Sequence, residues 1–233
     1  MTIQEETDFK IHPLLSRLIK ALQEANYPKR EICLDESMIA FKGRAVATMC
    51  QPKSHIIWGM QAWFLADSTT GYCYNLDIYS GKETDTVDEN INKTHRIVMN
   101  MASPCNDVGH HLYFDNYYTS LAVIADLAVK HFSACGTLRV NRKEVPQAVQ
   151  KAKLKAGMIS VFVRQNDVLY ISWFDKRQVK LATNLHDEPM FTKQLSGRTA
   201  NHLLQKPVAI ELYTRFMGGV DRADQKLWNL IIS

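Results

Sequence analysis

The sequence has no apolar run long enough to cross a membrane, and it has few residues that break regular structure. Its most apolar stretch, Ser54 to Ala66, is 13 residues long, whereas a spanning helix needs about 20. Only 10 of the 233 residues are Gly and 7 are Pro, which excludes a low-complexity chain. Hydrophobic residues make up 46% and charged residues 22%, a balance that excludes disorder and allows a buried core.

Cysteine is also scarce and widely spaced. Five cysteines stand at positions 33, 50, 73, 105 and 135, an odd number with no CxxC pair, which argues against a disulfide framework and against a zinc site. We expect most of them to be small core residues in a reducing compartment. Glu5, Glu6 and Asp8 near the start do not follow the basic-then-apolar order of a secretory signal, so we expect an intracellular chain.

Positive charge is concentrated in one segment. The net charge is only +4, but residues 139–206 contain 13 Lys and Arg against 5 Asp and Glu, whereas residues 1–138 contain 12 against 16. A dense group of basic residues is typical of a surface that contacts nucleic-acid phosphates. A solvated basic face is the alternative explanation.

Hydrophobic periodicity predicts a mixed α/β fold. Apolar residues at helical spacing predict helices over 11–25 and 87–102, a helix capped by Thr119 that ends near Lys130, and two helical patterns from Pro207 onward. Alternating or continuous apolar residues predict strands over 31–38, 58–66, 72–78, 111–114, 132–139, 159–164 and 169–174. This order is that of a ribonuclease-H-like core interrupted by a basic, β-containing insertion.

Three aspartates fall at notable places in these elements. Asp35 lies in the first strand, Asp115 at the end of the fourth, and Asp221 at the start of the last helix. The first and fourth strands of a ribonuclease-H-like sheet are neighbours, so the three carboxylates could converge. Converging carboxylates repel one another unless a divalent cation neutralises them, and hard oxygen ligands suit Mg²⁺ or Mn²⁺. Chance placement is the alternative, because the chain has 24 Asp and Glu residues.

Four segments, in the same order, resemble motifs of the piggyBac family of DNA transposases and the host genes derived from them. They are LDESMIAFKGR at 34–44, YFDNYYTS at 113–120, CGTLRVNRKEVP at 135–146 and GGVDRADQ at 218–225. The resemblance implies a ribonuclease-H-like catalytic domain that uses two Mg²⁺ or Mn²⁺ ions. Asp35, Asp115 and Asp221 match the family's three catalytic, metal-binding aspartates.

Asp224 matches a fourth acidic position of the same family. It follows Asp221 by three residues, so both would lie on one face of a helix and Asp224 could assist metal binding. The alternative role is a carboxylate near a helix start, where the positive end of the helix dipole favours it.

The resemblance also implies a DNA substrate. Family members cut at transposon ends and join them into TTAA targets, which implies double-stranded DNA as a partner, a location in the nucleus and a possible homodimer. The basic segment then corresponds to an insertion domain, and its expected phosphate contacts are Arg139, Arg142, Lys143, Lys151, Lys153 and Lys155.

The predicted organisation is a remnant of an N-terminal helical segment at 1–30, a core at 31–138, an insertion domain at 139–206 and a core-completing helix at 207–233. The zinc module of many family members is not recognisable, so we expect no zinc site and a truncated or domesticated copy. Whether catalysis is retained stays open. The alternatives are a non-catalytic, transposon-derived nuclear protein that binds DNA or a partner, and a fragment that folds poorly.

Overall fold

In a computed structural model, the chain forms two compact units. The first comprises Met1–Pro104 with Gly218–Ser233, and the second comprises Cys105–Met217. The structure describes residues 3–41, 43, 48–50, 56, 58–79, 92–139, 142, 144–155, 161–174, 177–186, 191–196 and 202–232. No helix among these residues has both the length and the apolarity needed to cross a membrane.

The chain contains both helices and strands, which confirms the predicted mixed α/β class. In chain order the elements are α1 (Ile3–Ala25), β1 (Glu31–Ala40), β2 (Thr48–Cys50), β3 (Trp58–Asp67), β4 (Cys73–Ile78), α2 (Lys93–Ala102), a 3₁₀ turn (Ser103–Cys105), β5 (His111–Phe114), α3 (Leu121–Val129), β6 (Ser133–Thr137), α4 (Gln147–Lys151), β7 (Val161–Gln165), β8 (Val168–Phe174), β9 (Gln178–Thr183), β10 (Phe191–Ser196), β11 (His202–Pro207), α5 (Val208–Phe216) and α6 (Gly219–Ile232).

The first unit is built around β3. This strand pairs antiparallel with β1 along one edge and with β2 and β4 along the other. Its residues are buried except at Trp58 and Gln61, which agrees with the prediction of a strand covered on both faces. Burial of this nearly continuous apolar strand contributes favourable free energy to the unit.

The second unit has a mixed sheet. Strands β5 and β6 are parallel and are connected through α3, which is a βαβ arrangement. Strands β6, β9, β8 and β7 follow in that order with antiparallel pairing, and β10 and β11 form a separate hairpin. Periodicity in the basic segment predicts only the strands that correspond to β7 and β8, and it misses α4, β9, β10 and β11.

One predicted helix cap is wrong. Ser120, not Thr119, caps α3: it has an extended backbone, and its Oγ accepts a hydrogen bond from the backbone N–H of Val123 at 3.2 Å. The Thr119 hydroxyl instead donates to the backbone carbonyl of Asp115 at 2.7 Å. The helix predicted over 11–25 begins earlier, at Ile3, and the helix predicted over 87–102 begins at Lys93, with 87–91 outside the described residues.

None of the five cysteines, all of them in the described part of the chain, forms a disulfide. Cys33, Cys105 and Cys135 are buried, as expected for small core residues. Cys73 is partly exposed and Cys50 is exposed.

The turn between β3 and β4 is fixed by one buried carboxylate. Asp67 is 1% exposed, and its oxygens accept hydrogen bonds from the backbone N–H groups of Lys29 at 2.8 Å, Thr69 at 2.8 Å and Thr70 at 2.7 Å. Burial raises the pKa of Asp67, but these hydrogen bonds to the charged form outweigh burial, so the pKa lies below its ordinary value.

We therefore predict that Asp67→Asn lowers the free energy of unfolding at pH 7 by about 1.5–3 kcal/mol, because hydrogen bonds to a charged acceptor are lost. The depressed pKa means that this stabilisation is present above the unfolded-state pKa of about 4 and is lost as the pH falls through the lower, folded-state value. Urea unfolding at pH 7 and pH 3 measures both effects. The exposed Glu24→Gln serves as control, and a variant as stable as wild type at pH 7 would contradict this assignment.

Candidate functional site

Strand β1 brings Asp35 to one face of the first unit. Side chains alternate along a strand, so Cys33, Asp35 and Ser37 share a face. Cys33 and Ser37 are buried, whereas Asp35 is partly exposed. The Oδ1 atom of Asp35 accepts a hydrogen bond from the backbone N–H of Glu36 at 3.0 Å, which restricts the orientation of the carboxylate.

Helix α6 covers this face of β1. At its start, a Cβ atom added to Gly219 would lie 2.5 Å from the Cys33 sulfur and 3.0 Å from the Ser68 Cα, so only glycine permits the approach. Further along, the Ser37 hydroxyl donates to Oδ1 of Asp224 at 2.6 Å. Asp35 lies between Cys33 and Ser37 on this strand face, and Asp221, near the start of α6, is exposed.

Negative charge is disfavoured on this face. Burial raises the pKa of Asp224, the negative charge of Asp221 raises it further, and the hydrogen bond from Ser37 only partly opposes the shift. Burial also raises the pKa of Cys33 to about 11 and that of Cys73 to about 12, and the charge of Asp224 adds to the latter shift. Both thiols are therefore neutral at pH 7. A bound cation would reduce the free-energy cost of the negative charge on Asp224.

Asp115 lies in the second unit, immediately after β5. Its Oδ1 accepts a hydrogen bond from the backbone N–H of Tyr117 at 2.7 Å, and its carbonyl accepts from the Thr119 hydroxyl. The first of these bonds closes an Asx turn, which restricts the rotamer of the carboxylate from within its own loop. The Asp115 residue is partly exposed.

Two of the predicted phosphate contacts brace the loop after Asp115. The Nε atom of Arg139 donates to Oδ1 of Asn116 at 2.7 Å, and its guanidinium lies 5.5 Å from the centre of the Tyr117 ring. Arg142 donates from Nη2 to the Tyr117 carbonyl at 2.9 Å. This bracing role was not predicted, although both arginines follow β6, the parallel neighbour of β5, and the ends of such strands share one edge.

Three of the other four predicted phosphate contacts are lysines at and after the end of α4. Lys151, Lys153 and Lys155 are all exposed, and Lys151 donates to the Gln147 side chain at 3.2 Å. Lys143 lies outside the described residues. The three described lysines thus present positive charge to solvent on one short stretch of the second unit.

A buried lysine that the sequence did not single out holds α4 in place. Lys180 on β9 is 9% exposed, and its Nζ atom donates to the Gln150 carbonyl at 2.7 Å. Burial lowers its pKa.

Within the described residues, no group of three or more His, Cys, Asp or Glu side chains could hold a metal ion.

Comparison with solved structures identifies the fold. The chain is similar to the piggyBac transposase in a cryo-EM structure of its synaptic complex with hairpin DNA, with a TM-score of 0.79, 21% sequence identity, and coverage of 93% of this chain and 44% of that one. The fold is therefore the mixed α/β, ribonuclease-H-like fold of the piggyBac catalytic domain.

Sequence comparisons identify the family. The family model described as Transposase IS4 matches residues 2–231, and the chain belongs to this family of transposases, within which its relatives are of the piggyBac type. Human PiggyBac transposable element-derived protein 3 is 24% identical over 227 residues, and human PiggyBac transposable element-derived protein 2 is 23% identical over 228. Each match covers 94% of this chain but 38% of the relative, so the chain spans about two fifths of their length.

We predict that Asp224→Asn stabilises the metal-free protein. Because the folded-state pKa of Asp224 is raised, its contribution to stability is complete below the unfolded-state pKa and is lost as the pH rises through the folded-state value. Asparagine keeps an acceptor for Ser37 and carries no charge. We expect Tm in EDTA to rise by about 2 °C at pH 7 and to change little at pH 3.5.

The matched variant is Ser37→Ala, which leaves the carboxylate of Asp224 without its 2.6 Å donor and should lower Tm at pH 7. If Asp224→Asn lowered Tm equally at both pH values, Asp224 would not be the electrostatically strained group.

Proposed function

We propose that this chain is the catalytic domain of a piggyBac-type DNA transposase, with metal-dependent phosphodiester hydrolysis and strand transfer as its reaction. The observation that carries the proposal is the hydrogen bond from Ser37 to Asp224, because it draws α6 onto the face of β1 that bears Asp35. Asp35, Asp115 and Asp221 are the proposed catalytic residues, and Asp224 is the proposed fourth acidic ligand. Retention of all three aspartates of the family motif supports catalysis.

Mg²⁺ or Mn²⁺ is the proposed cofactor, held as two ions. The donors are chemically suited to these ions, since carboxylate oxygens are hard ligands. A bound cation would also offset the burial and the charge of Asp221, which raise the pKa of Asp224. Two bound divalent ions would favour attack by water or a DNA 3′-hydroxyl and would neutralise charge on the departing oxygen.

The residues of the chain have the following proposed roles in that reaction. Asp35 and Asp221 would hold cations from β1 and α6, and Asp115 would do so from a loop in which the Tyr117 N–H already orients its carboxylate. No protein nucleophile is needed, and the raised pKa values of Cys33 and Cys73 argue against a thiolate in this role.

Double-stranded DNA is the proposed substrate, with TTAA as the target sequence and the nucleus as the location. The piggyBac neighbour is described in complex with hairpin DNA, and the exposed lysines 151, 153 and 155 supply the positive charge that a phosphate backbone requires. Because the chain spans about two fifths of its relatives, complete transposition and homodimer formation are proposed for the whole protein.

A non-catalytic DNA-binding role is the second candidate. The exposure of the same three lysines favours it, since phosphate contacts require no assembled metal site. The two functions differ in whether divalent ions bind and DNA is cut.

We predict that the folded protein binds Mn²⁺ saturably and that Asp115→Asn weakens this binding at least tenfold, because a ligand charge is lost. Isothermal calorimetry measures the affinity, and nicking of TTAA-containing DNA in Mg²⁺ measures the chemistry. Asp167→Asn, at an exposed turn of the same unit, is the matched control. Absence of Mn²⁺ binding by the wild-type protein would reject the catalytic proposal and leave the DNA-binding candidate.

We further predict that replacing Lys151, Lys153 and Lys155 together by Ala weakens binding to duplex DNA and flattens its salt dependence. Each lost phosphate contact lowers the slope of log K against log salt by about 0.9. Fluorescence anisotropy between 50 and 200 mM NaCl, as an approximate working range, gives both quantities. Lys20→Ala in α1 is the control, and an unchanged slope in the triple variant would exclude these lysines from the DNA interface.

A further inference from the structure

We propose that Arg222 and Lys226 are positioning residues that hold the first two turns of α6 on the β3–β4 turn, a role whose catalytic meaning rests on the proposed function. Both residues stand on the helix that carries Asp221 and Asp224, and neither belongs to the acidic set. They are four residues apart, which is about one helical turn, so they project from one side of α6.

The side chains of Arg222 and Lys226 both donate hydrogen bonds to backbone carbonyls of one short turn. Arg222 donates from Nη1 to the Ser68 carbonyl at 2.9 Å, and Lys226 donates from Nζ to the Thr70 carbonyl at 2.6 Å. Gly71 packs against the same helix, since a Cβ atom added there would lie 2.7 Å from Cβ of Arg222. Charge-assisted donors thus hold α6 to backbone carbonyls, which do not titrate.

The turn that receives these bonds is itself rigid. Asp67 binds the backbone N–H groups of Thr69 and Thr70, and the N–H of Gly71 donates to the Asp67 carbonyl at 2.8 Å. Gly71 has a φ of +68°, which a residue with a side chain rarely adopts. The turn can therefore serve as a fixed support on which α6 rests.

The side chains of Arg222 and Lys226 would determine the rotation of α6 about its axis. Side chains project outward from the axis of a helix. Rotation of α6 about its axis would therefore move Asp221 and Asp224 away from the face of β1. Ser37 holds Asp224 from the strand side, whereas Arg222, next to Asp221, holds the helix from the hairpin side. Contacts on two sides therefore restrict the rotation of α6 and, with it, the positions of Asp221 and Asp224.

Alkylation of Cys33 tests this clamp without DNA or metal. The thiol of Cys33 is buried beneath Gly219, so it becomes reachable only when the start of α6 lifts from β1. Arg222→Met keeps the apolar stem against Gly71 and removes the donor. We expect N-ethylmaleimide to label Cys33 of this variant about tenfold faster in the native full chain, the effect of losing one charge-assisted hydrogen bond.

The controls separate local opening from general destabilisation. Arg17→Met, an exposed arginine of α1, should label like wild type, and Arg222→Lys should restore slow labelling at least in part. Buried Cys105 reports on the second unit. Unchanged labelling of Cys33 in Arg222→Met, or a parallel rise at Cys33 and Cys105, would overturn the proposal.

Mn²⁺ affinity provides the link to catalysis. Arg222→Met should weaken Mn²⁺ binding severalfold, and Arg17→Met should not. If the wild-type protein bound no Mn²⁺, the proposed function would fail, whereas the Cys33 labelling rates would still decide whether Arg222 clamps α6.

Discussion

The close approach of α6 to β1 is the constraint on which the candidate site depends. Gly219 lets the helix backbone reach the Cys33 sulfur, and the Ser37 hydroxyl meets Asp224 further along the same strand face. A larger residue at position 219 would push the helix outward and separate its carboxylates from Asp35. Gly219 therefore has a packing role at the start of α6.

That approach places carboxylates where the fold disfavours their charge. Burial and the neighbouring Asp221 raise the pKa of Asp224. The charged form of Asp224 therefore lowers the stability of the first unit. Proteins accept such local strain mainly at functional sites, where a ligand compensates for it. The raised pKa of Asp224 and the family motif around each aspartate are the two observations that support the proposal of a functional site here.

Local patterns in the sequence predict much of the fold, and motifs predict the acidic residues. Alternation and continuous apolar runs identify β1, β3 and β5, and the order of elements agrees with the ribonuclease-H-like fold. The contact of Arg222 with Ser68 joins residues 154 positions apart, and no local period encodes it. Arg139 and Arg142 illustrate the same limit, because clustered charge predicts phosphate contacts but not the hydrogen bonds from their guanidinium groups to the loop after Asp115.

The aspartates are held in two physically different ways. The Asp115 carboxylate is oriented by a hydrogen bond from the backbone N–H two positions along its own loop, an arrangement that short-range sequence alone can specify. Asp221 and Asp224 depend on how a whole helix docks, and that docking rests on Gly219, Ser37 and the β3–β4 turn. A substitution near Asp115 therefore acts mainly on one carboxylate. A substitution at the α6 contacts moves two carboxylates together, which makes that helix the more sensitive part of the proposed site.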